Sequence, residues 1–182
     1  MYSTEFPKFI APEVVASHFH VREGDMIADF GAGSGYFTPV FALATGPTGR
    51  VLACEIQKSL VEKIGCVARQ CGHSNVDVLW CDIEEERGIP LNDDILDAGG
   101  LINTFFQIED KATAVREIHR VIRPGGVIHV IEWNDSYAGI GPSLEQVVDK
   151  EALCDWFESD LFMLEREYPA GAHHYGLTFR VV

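Results

Sequence analysis

Between Met26 and Trp133 the chain repeats one pattern: a short apolar run, a polar or glycine-containing break, then a segment with apolar residues at helical spacing. The apolar runs near residues 26–30, 50–55, 76–81, 95–102 and 127–133 predict strands, and the segments near 34–44, 60–72 and 111–122 predict helices. In the last helix Ala114, Val115, Ile118 and Val121 share the face that would meet a sheet. Such alternation implies a doubly wound α/β fold, its parallel sheet covered on both faces. Ahead of it, residues 6–22 form an arm with one helix, Pro12 in its first turn and Val14, Val15 and Phe19 on one side. After Trp133 the pattern changes to a Gly/Pro-rich loop over 134–142, a helix near 150–158, and strand-like runs at 162–168 and 175–181. The link between those runs, Pro169-Ala170-Gly171-Ala172-His173-His174, is too short for a parallel crossover and predicts a hairpin. The chain is expected to be one domain over 1–182, with an arm (1–22), a core (23–133) and a substrate-side region (134–182).

The first strand runs into Asp29-Phe30-Gly31-Ala32-Gly33-Ser34-Gly35-Tyr36. Glycines at alternate positions between a strand and a helix supply positive φ and let a ligand approach bare backbone. The spacing is G-x-G-x-G, and Tyr36 stands where a dinucleotide fingerprint wants its third small residue, which argues against NAD. No Gly-Lys-Ser/Thr follows, so the turn is not a P-loop. Glu55 ends the second strand, 24 positions beyond Gly31, where a carboxylate can accept hydrogen bonds from both hydroxyls of a ribose.

These segments resemble the class I S-adenosylmethionine-dependent methyltransferases, and the likeness runs from about Phe6 to the C-terminus. Residues 29–36 match that family's first motif and Glu55 its ribose-holding acid, with Ile56 beside it. Asp82, which follows Val76-Asp77-Val78-Leu79-Trp80-Cys81, matches the acid aimed at the adenine amino group, and Ile83 would pack on the adenine face. Asp94-Ile95-Leu96-Asp97-Ala98-Gly99-Gly100-Leu101-Ile102-Asn103 resembles the fourth motif, and Arg120-Val121-Ile122-Arg123-Pro124-Gly125-Gly126 the turn before the fifth strand. The resemblance implies a Rossmann-like, seven-stranded, mostly parallel sheet with an antiparallel C-terminal strand. It also implies S-adenosylmethionine as cofactor, held by Asp29, Gly31, Ala32, Gly33, Tyr36, Glu55, Ile56, Asp82, Ile83 and Asn103. Two roles stay open at this point: Asp29 either brackets the glycine loop or touches ligand, and Asn103 either offers its carbonyl to the ligand or caps the following turn.

Charge narrows the acceptor. Fourteen Lys and Arg face 28 Asp and Glu, a net charge of −14 without a basic stripe, which disfavours nucleic acid and favours a small-molecule or protein substrate. No apolar run is long enough to span a bilayer and no secretory signal is visible, so a cytoplasmic protein without membrane association is expected. The five cysteines lack C-x-x-C spacing and are expected to be mostly buried free thiols. A homodimer is compatible with the absence of any cap domain over the pocket.

Ligands of open α/β sheets bind outside the carboxyl ends of the parallel strands. The segments 134–142 and 169–175 should rise at those ends and set acceptor specificity, with Trp133 and Tyr175 walling the acceptor and His174 and Tyr175 as candidate catalytic residues. His173 and His174 are adjacent, so they point to opposite faces and no metal site is expected. Two other readings remain. Phe9-Ile10-Ala11-Pro12-Glu13-Val14-Val15-Ala16 resembles the start of protein isoaspartate methyltransferases, and a non-catalytic S-adenosylmethionine-binding module would share the same motifs. Arsenic methylation needs paired thiolates at the acceptor pocket, and Asn103-Thr104 stands where that family carries a cysteine.

Overall fold

The computed structural model describes residues 10, 12–137, 139–157 and 160–182. Much of the arm (1–9 and 11), the side chain of Val14 and residue 158 of the expected helix lie outside the described residues. Seven strands form one sheet: β1 (Met26–Phe30), β2 (Arg50–Glu55), β3 (Val76–Trp80), β4 (Leu96–Ile102), β5 (Ile122–Trp133), β6 (Phe162–Gly171) and β7 (His174–Val181). Their order is β3-β2-β1-β4-β5-β7-β6. The first five pair in parallel, and β7 runs antiparallel to both β5 and β6. The helices are α1 (Pro12–Ala16), α2 (Thr38–Thr45), α3 (Lys58–Gln70), α4 (Lys111–Val121) and α5 (Lys150–Phe157). The expected doubly wound sheet with an antiparallel last strand is the one observed.

Two apolar layers flank the sheet. One gathers Phe30, Phe105, Ile118, Phe157, Phe162 and Phe179; the other gathers Phe19, Ile27, Phe41, Val51, Ile131 and Tyr168. The first layer includes the inner face of α4, whose start is capped where the Asp110 carboxylate accepts the Thr113 N–H at 3.0 Å. His129, buried in mid-strand, bonds Thr178 Oγ1 through Nδ1 at 2.9 Å and stacks on Phe19.

Three boundaries differ from the sequence expectation, each for a local reason. Helix α2 begins at Thr38, not near 34, because Gly35 at φ +78° keeps the preceding residues in a turn. Strand β5 begins at Ile122, so the Arg123-Pro124-Gly125-Gly126 turn is an irregularity within the β4–β5 ladder. Asp97 anchors it by accepting from Arg123 Nε and from the Met26 N–H, both at 2.8 Å. The expected six-residue hairpin link shrinks to Ala172 and His173, because Pro169 pairs Tyr175 and Gly171 pairs His174.

Candidate functional site

The turn after β1 is left-handed at Gly31, Gly33 and Gly35, with φ of +66°, +58° and +78°. A Cβ on Gly31 would lie 2.5 Å from Thr104 Cγ2, so only glycine lets the loop and the residue beyond β4 approach this closely. Thr104 Oγ1 donates to the Gly31 carbonyl at 3.3 Å, and the Ala32 N–H donates to the Cys54 carbonyl at 2.9 Å. The glycine loop is therefore clamped between the ends of β2 and β4.

Glu55 is buried at the end of β2, and its carboxylate faces this loop. One oxygen accepts the Gly33 N–H and the other the Gln57 N–H, each at 2.8 Å. Each oxygen keeps a second lone pair for a ligand hydroxyl. Asp29 is buried and accepts the Thr38 hydroxyl at 2.7 Å, tying β1 to the first turn of α2 at the edge of the glycine loop. Burial lifts its pKa to about 6, against the Thr38 bond, with Glu55 adding to the rise.

Beyond β3, Asp82 accepts the Glu84 N–H at 2.8 Å, and Glu84 accepts the N–H groups of Glu109 and Asp110 at 2.8 and 2.6 Å. That chain of bonds fixes the Asp82–Ile83 corner to the start of α4. On the β4 side Asn103 holds φ +54°, its N–H donates to the Ile131 carbonyl at 2.8 Å, and its carbonyl accepts from Gln107 Nε2 at 3.1 Å. The Asn103 Oδ1 atom is buried without a hydrogen-bond partner. A left-handed non-glycine residue with an orphaned acceptor beside a cavity is strain that a ligand donor could relieve.

These ends enclose a cavity of about 500 Å³, within the range of small-molecule sites. Asp29, Gly31, Ala32, Gly33, Tyr36, Glu55, Ile56, Asp82, Ile83 and Asn103 all line it, so one site gathers every residue expected to hold the cofactor. Among the described residues four carboxylates line it (Asp29, Glu55, Asp82 and Glu84), and no Lys, Arg or His does. A sulfonium cation matches that field. With Glu55 ready for a ribose and Asn103 Oδ1 lacking a donor, the residues present fit S-adenosylmethionine.

The expected catalytic pair needs correction. Neither His174 nor Tyr175 lines the cavity, and neither does any described residue of 134–142 or 169–175. The edge is the expected one, since His174 pairs Trp133 at the end of β5, but packing has closed it. His174 is buried with its ring 4.2 Å from that of Trp133, both ring nitrogens lack partners, and burial drives its pKa down to about 4. A Cβ on Gly141 would sit 2.5 Å from the Trp133 ring, so the loop lies flat on the indole. Tyr175 belongs to the core and spends its hydroxyl on the Val148 carbonyl at 2.8 Å. His173 lies in the two-residue turn before β7 and pairs with Asp135 at 2.9 Å. The thiols also differ from expectation: Cys54 and Cys81 are buried, while Cys66 and Cys71 are exposed.

Several site residues escaped sequence reasoning. Thr38 and Gln107 act through ordinary helix and turn positions that carry no pattern of their own. Glu132 left a signal, because like Glu55 it is an acid at the end of an apolar strand. It is buried, accepts the N–H groups of Phe106 and Trp133 at 3.3 Å, and so supports the 3-10 turn Phe105–Gln107 beneath the cavity wall. Burial raises its pKa to about 7 against those backbone bonds. Among the described residues no group of three or more His, Cys, Asp or Glu is arranged to hold a metal, and no helix is long and apolar enough to cross a membrane.

Known proteins share this site's framework. Residues 28–130 match the family described as a methyltransferase domain. The ubiquinone/menaquinone biosynthesis C-methyltransferase UbiE of Hahella chejuensis is 29% identical over 115 residues, 63% of this chain and 45% of that protein. The match thus spans less than half the length of that curated relative. A solved SAM-dependent methyltransferase from Aquifex aeolicus superposes with a TM-score of 0.87 at 26% identity, covering 96% of this chain and 92% of that one. The [4+2]-cyclase SpnF, at 18% identity over 93% of this chain and 80% of its own, shares the fold with a TM-score of 0.78. The chain belongs to the methyltransferase-domain family, of the class I type whose cofactor is S-adenosylmethionine.

Proposed function

We propose that this protein transfers a methyl group from S-adenosylmethionine to a small-molecule acceptor. The observation that carries the reading is the Glu55 carboxylate, bonded to the glycine loop at Gly33 and free to accept further, in a cavity lined by acids and without a described cation. When bound, S-adenosylmethionine supplies a methyl carbon already activated by its sulfonium. The chain's part is then alignment and the exclusion of water. Glu55 holds the ribose hydroxyls, Asp82 the adenine amino group and Ile83 the adenine face. Asn103 Oδ1 accepts from the amino-acid end of the cofactor, while Asp29 and Thr38 keep the glycine loop in place.

The acceptor region moves from the closed hairpin to the cavity itself, where Ile10, which lies beside Gly171 of that hairpin, lines the wall with Tyr36, Phe37 and Gln107. These side chains suit an uncharged, partly apolar molecule with one polar group within reach of Gln107. The net charge of −14 argues against nucleic acid, whose phosphates need clustered cations. The test has two arms: calorimetric titration with S-adenosylhomocysteine, and its release from S-adenosylmethionine across a pool of neutral and anionic acceptors. Binding with turnover on neutral acceptors supports the proposal. Absence of binding removes the cofactor assignments, and preference for anionic acceptors removes the acceptor class.

A further inference from the structure

Cys54 and Cys81 lie on the floor of the cavity, each one residue before a carboxylate assigned to the cofactor, Glu55 and Asp82. Strand register brings them together. Cys54 pairs Leu79 across β2 and β3, and Cys81 continues on the same face as Leu79. The Cys81 N–H donates to the Glu55 carbonyl at 3.2 Å, which holds the chain beyond β3 against the end of β2. Both side chains belong to one buried cluster and line the same cavity, with the two thiols near enough to influence each other's charge. Free thiols of this kind usually pack as small apolar groups. Here they border a cavity that admits small reagents, on the same face of neighbouring chain segments.

We infer that Cys54 and Cys81 form a reactive dithiol in the cofactor cavity, a modification site that takes a small peroxide as its co-reactant and closes into an intramolecular disulfide. The Cys81 sulfur attacks the O–O bond, forming a sulfenic acid and releasing one water. The Cys54 sulfur then displaces the hydroxyl, forming the S–S bond and releasing a second water. The dithiol loses two electrons and two hydrogens, and the peroxide takes them up. The order of attack follows the opposite surroundings of the two thiols. The neighbouring Cys54 thiol and a backbone bond at Glu55 hold the Cys81 thiol below its usual pKa despite burial. The neighbouring Cys81 thiol, together with burial, pushes Cys54 up. Drawing Cys54 and Cys81 into one covalent link shifts Glu55 and Asp82, so oxidation and cofactor binding oppose each other.

The experiment uses the full chain with Cys66, Cys71 and Cys154 replaced by serine, treated with hydrogen peroxide and read by intact mass without reductant. The expected product lacks the mass of two hydrogens, recovers it with dithiothreitol, and is absent in C54S and in C81S. Saturating S-adenosylhomocysteine should slow its formation, and the oxidised chain should bind S-adenosylhomocysteine at least about tenfold more weakly by calorimetry. No mass loss under conditions that oxidise glutathione overturns the proposal, as does addition of oxygen alone. A disulfide that leaves S-adenosylhomocysteine affinity unchanged overturns the opposition between the two. The protection arm rests on the cofactor reading above, whereas the mass change does not. An untreated chain that fails to bind S-adenosylhomocysteine therefore counts against that reading alone.

Discussion

Along the edge where the parallel strands end, the sheet has two differently finished halves. At β1, β2 and β4 the strand ends stop short of one another, and a cavity of about 500 Å³ is left between backbone amides, carboxylates and a few apolar side chains. At β5 and β7, on the same edge, Trp133, His174 and Tyr175 are buried among themselves and their neighbours. Topology sends both sets of residues to the side where ligands bind, and packing decides which set a ligand can reach. Small residues face the first half, Gly31 against Thr104, whereas large rings fill the second. Strand direction alone does not separate the two, because it sends both sets of residues to the same edge.

The largest expected effect tests the closed half. Trp133→Ala removes an indole that packs on His174 and under Gly141, and should lower stability by about 3–5 kcal/mol, the usual cost of emptying such a site. Thermal unfolding measures that loss. Affinity of the folded fraction for S-adenosylhomocysteine should stay within about twofold, since separated sites act independently. A loss of affinity matching the loss of stability would mean that the halves are one unit.

The next effect concerns the boundary between them, where Glu132 supports the turn under the cavity from within β5. Its pKa is raised from 4.5 to about 7, so its protonated form is the one favoured in the folded chain. Stability from this group is complete below the unfolded value of 4.5 and is lost as pH rises through about 7, by a total on the order of 3 kcal/mol. His129, three residues earlier on β5, is lowered from 6.5 to about 3, chiefly by burial. Its contribution has the opposite sense, complete above 6.5 and lost as pH falls toward 3. Melting temperature should therefore peak in mildly acidic buffer. Glu132→Gln should flatten the alkaline limb and leave the acidic one, and an unchanged alkaline limb would remove Glu132 as its source.

On the open half, Glu55→Ala should weaken S-adenosylhomocysteine binding by about 2 kcal/mol, roughly thirtyfold, through the lost ribose acceptor and the freed Gly33 amide. Glu55→Gln keeps the shape and one acceptor oxygen and should recover part of that loss. Equal affinity in all three proteins would show that the carboxylate serves only the loop.

What the sequence made legible follows the same division. The glycine turn, Glu55 and Asp82 were readable because a bare backbone and strand-terminal acids make sense only beside a ligand. The parallel part of the sheet was readable from the alternation of strands and helices, and the final hairpin from the shortness of its link. The closure of the hairpin was not. Six residues spelled Pro-Ala-Gly-Ala-His-His resemble a loop, and only the pairing of Gly171 with His174 shortens it to two. Glu132 was passed over although it carries the Glu55 signal, because its partners, the Phe106 and Trp133 amides, come from a turn that periodicity does not predict. Cys54 and Cys81 are 27 positions apart, and their meeting depends on the β2–β3 register.

The smallest effect sharpens the comparison most, because it separates a buried hydroxyl from a catalytic one. Tyr175→Phe deletes the bond to the Val148 carbonyl and little else, since the ring keeps its place in the core. Its cost should be about 1 kcal/mol of stability, the net worth of one hydrogen bond. A structural role predicts a small fall in melting temperature with turnover per folded molecule unchanged, whereas a catalytic hydroxyl predicts the reverse. The phenol is already engaged, and burial raises its pKa far above the usual tyrosine value, which leaves it a poor base near neutral pH. Tyr36 provides the control from the open half: it is 59% exposed at the cavity rim, so Tyr36→Ala should cost little stability and act on turnover. If the Tyr175 variant lost turnover and the Tyr36 variant did not, the closed half would have to open during the reaction.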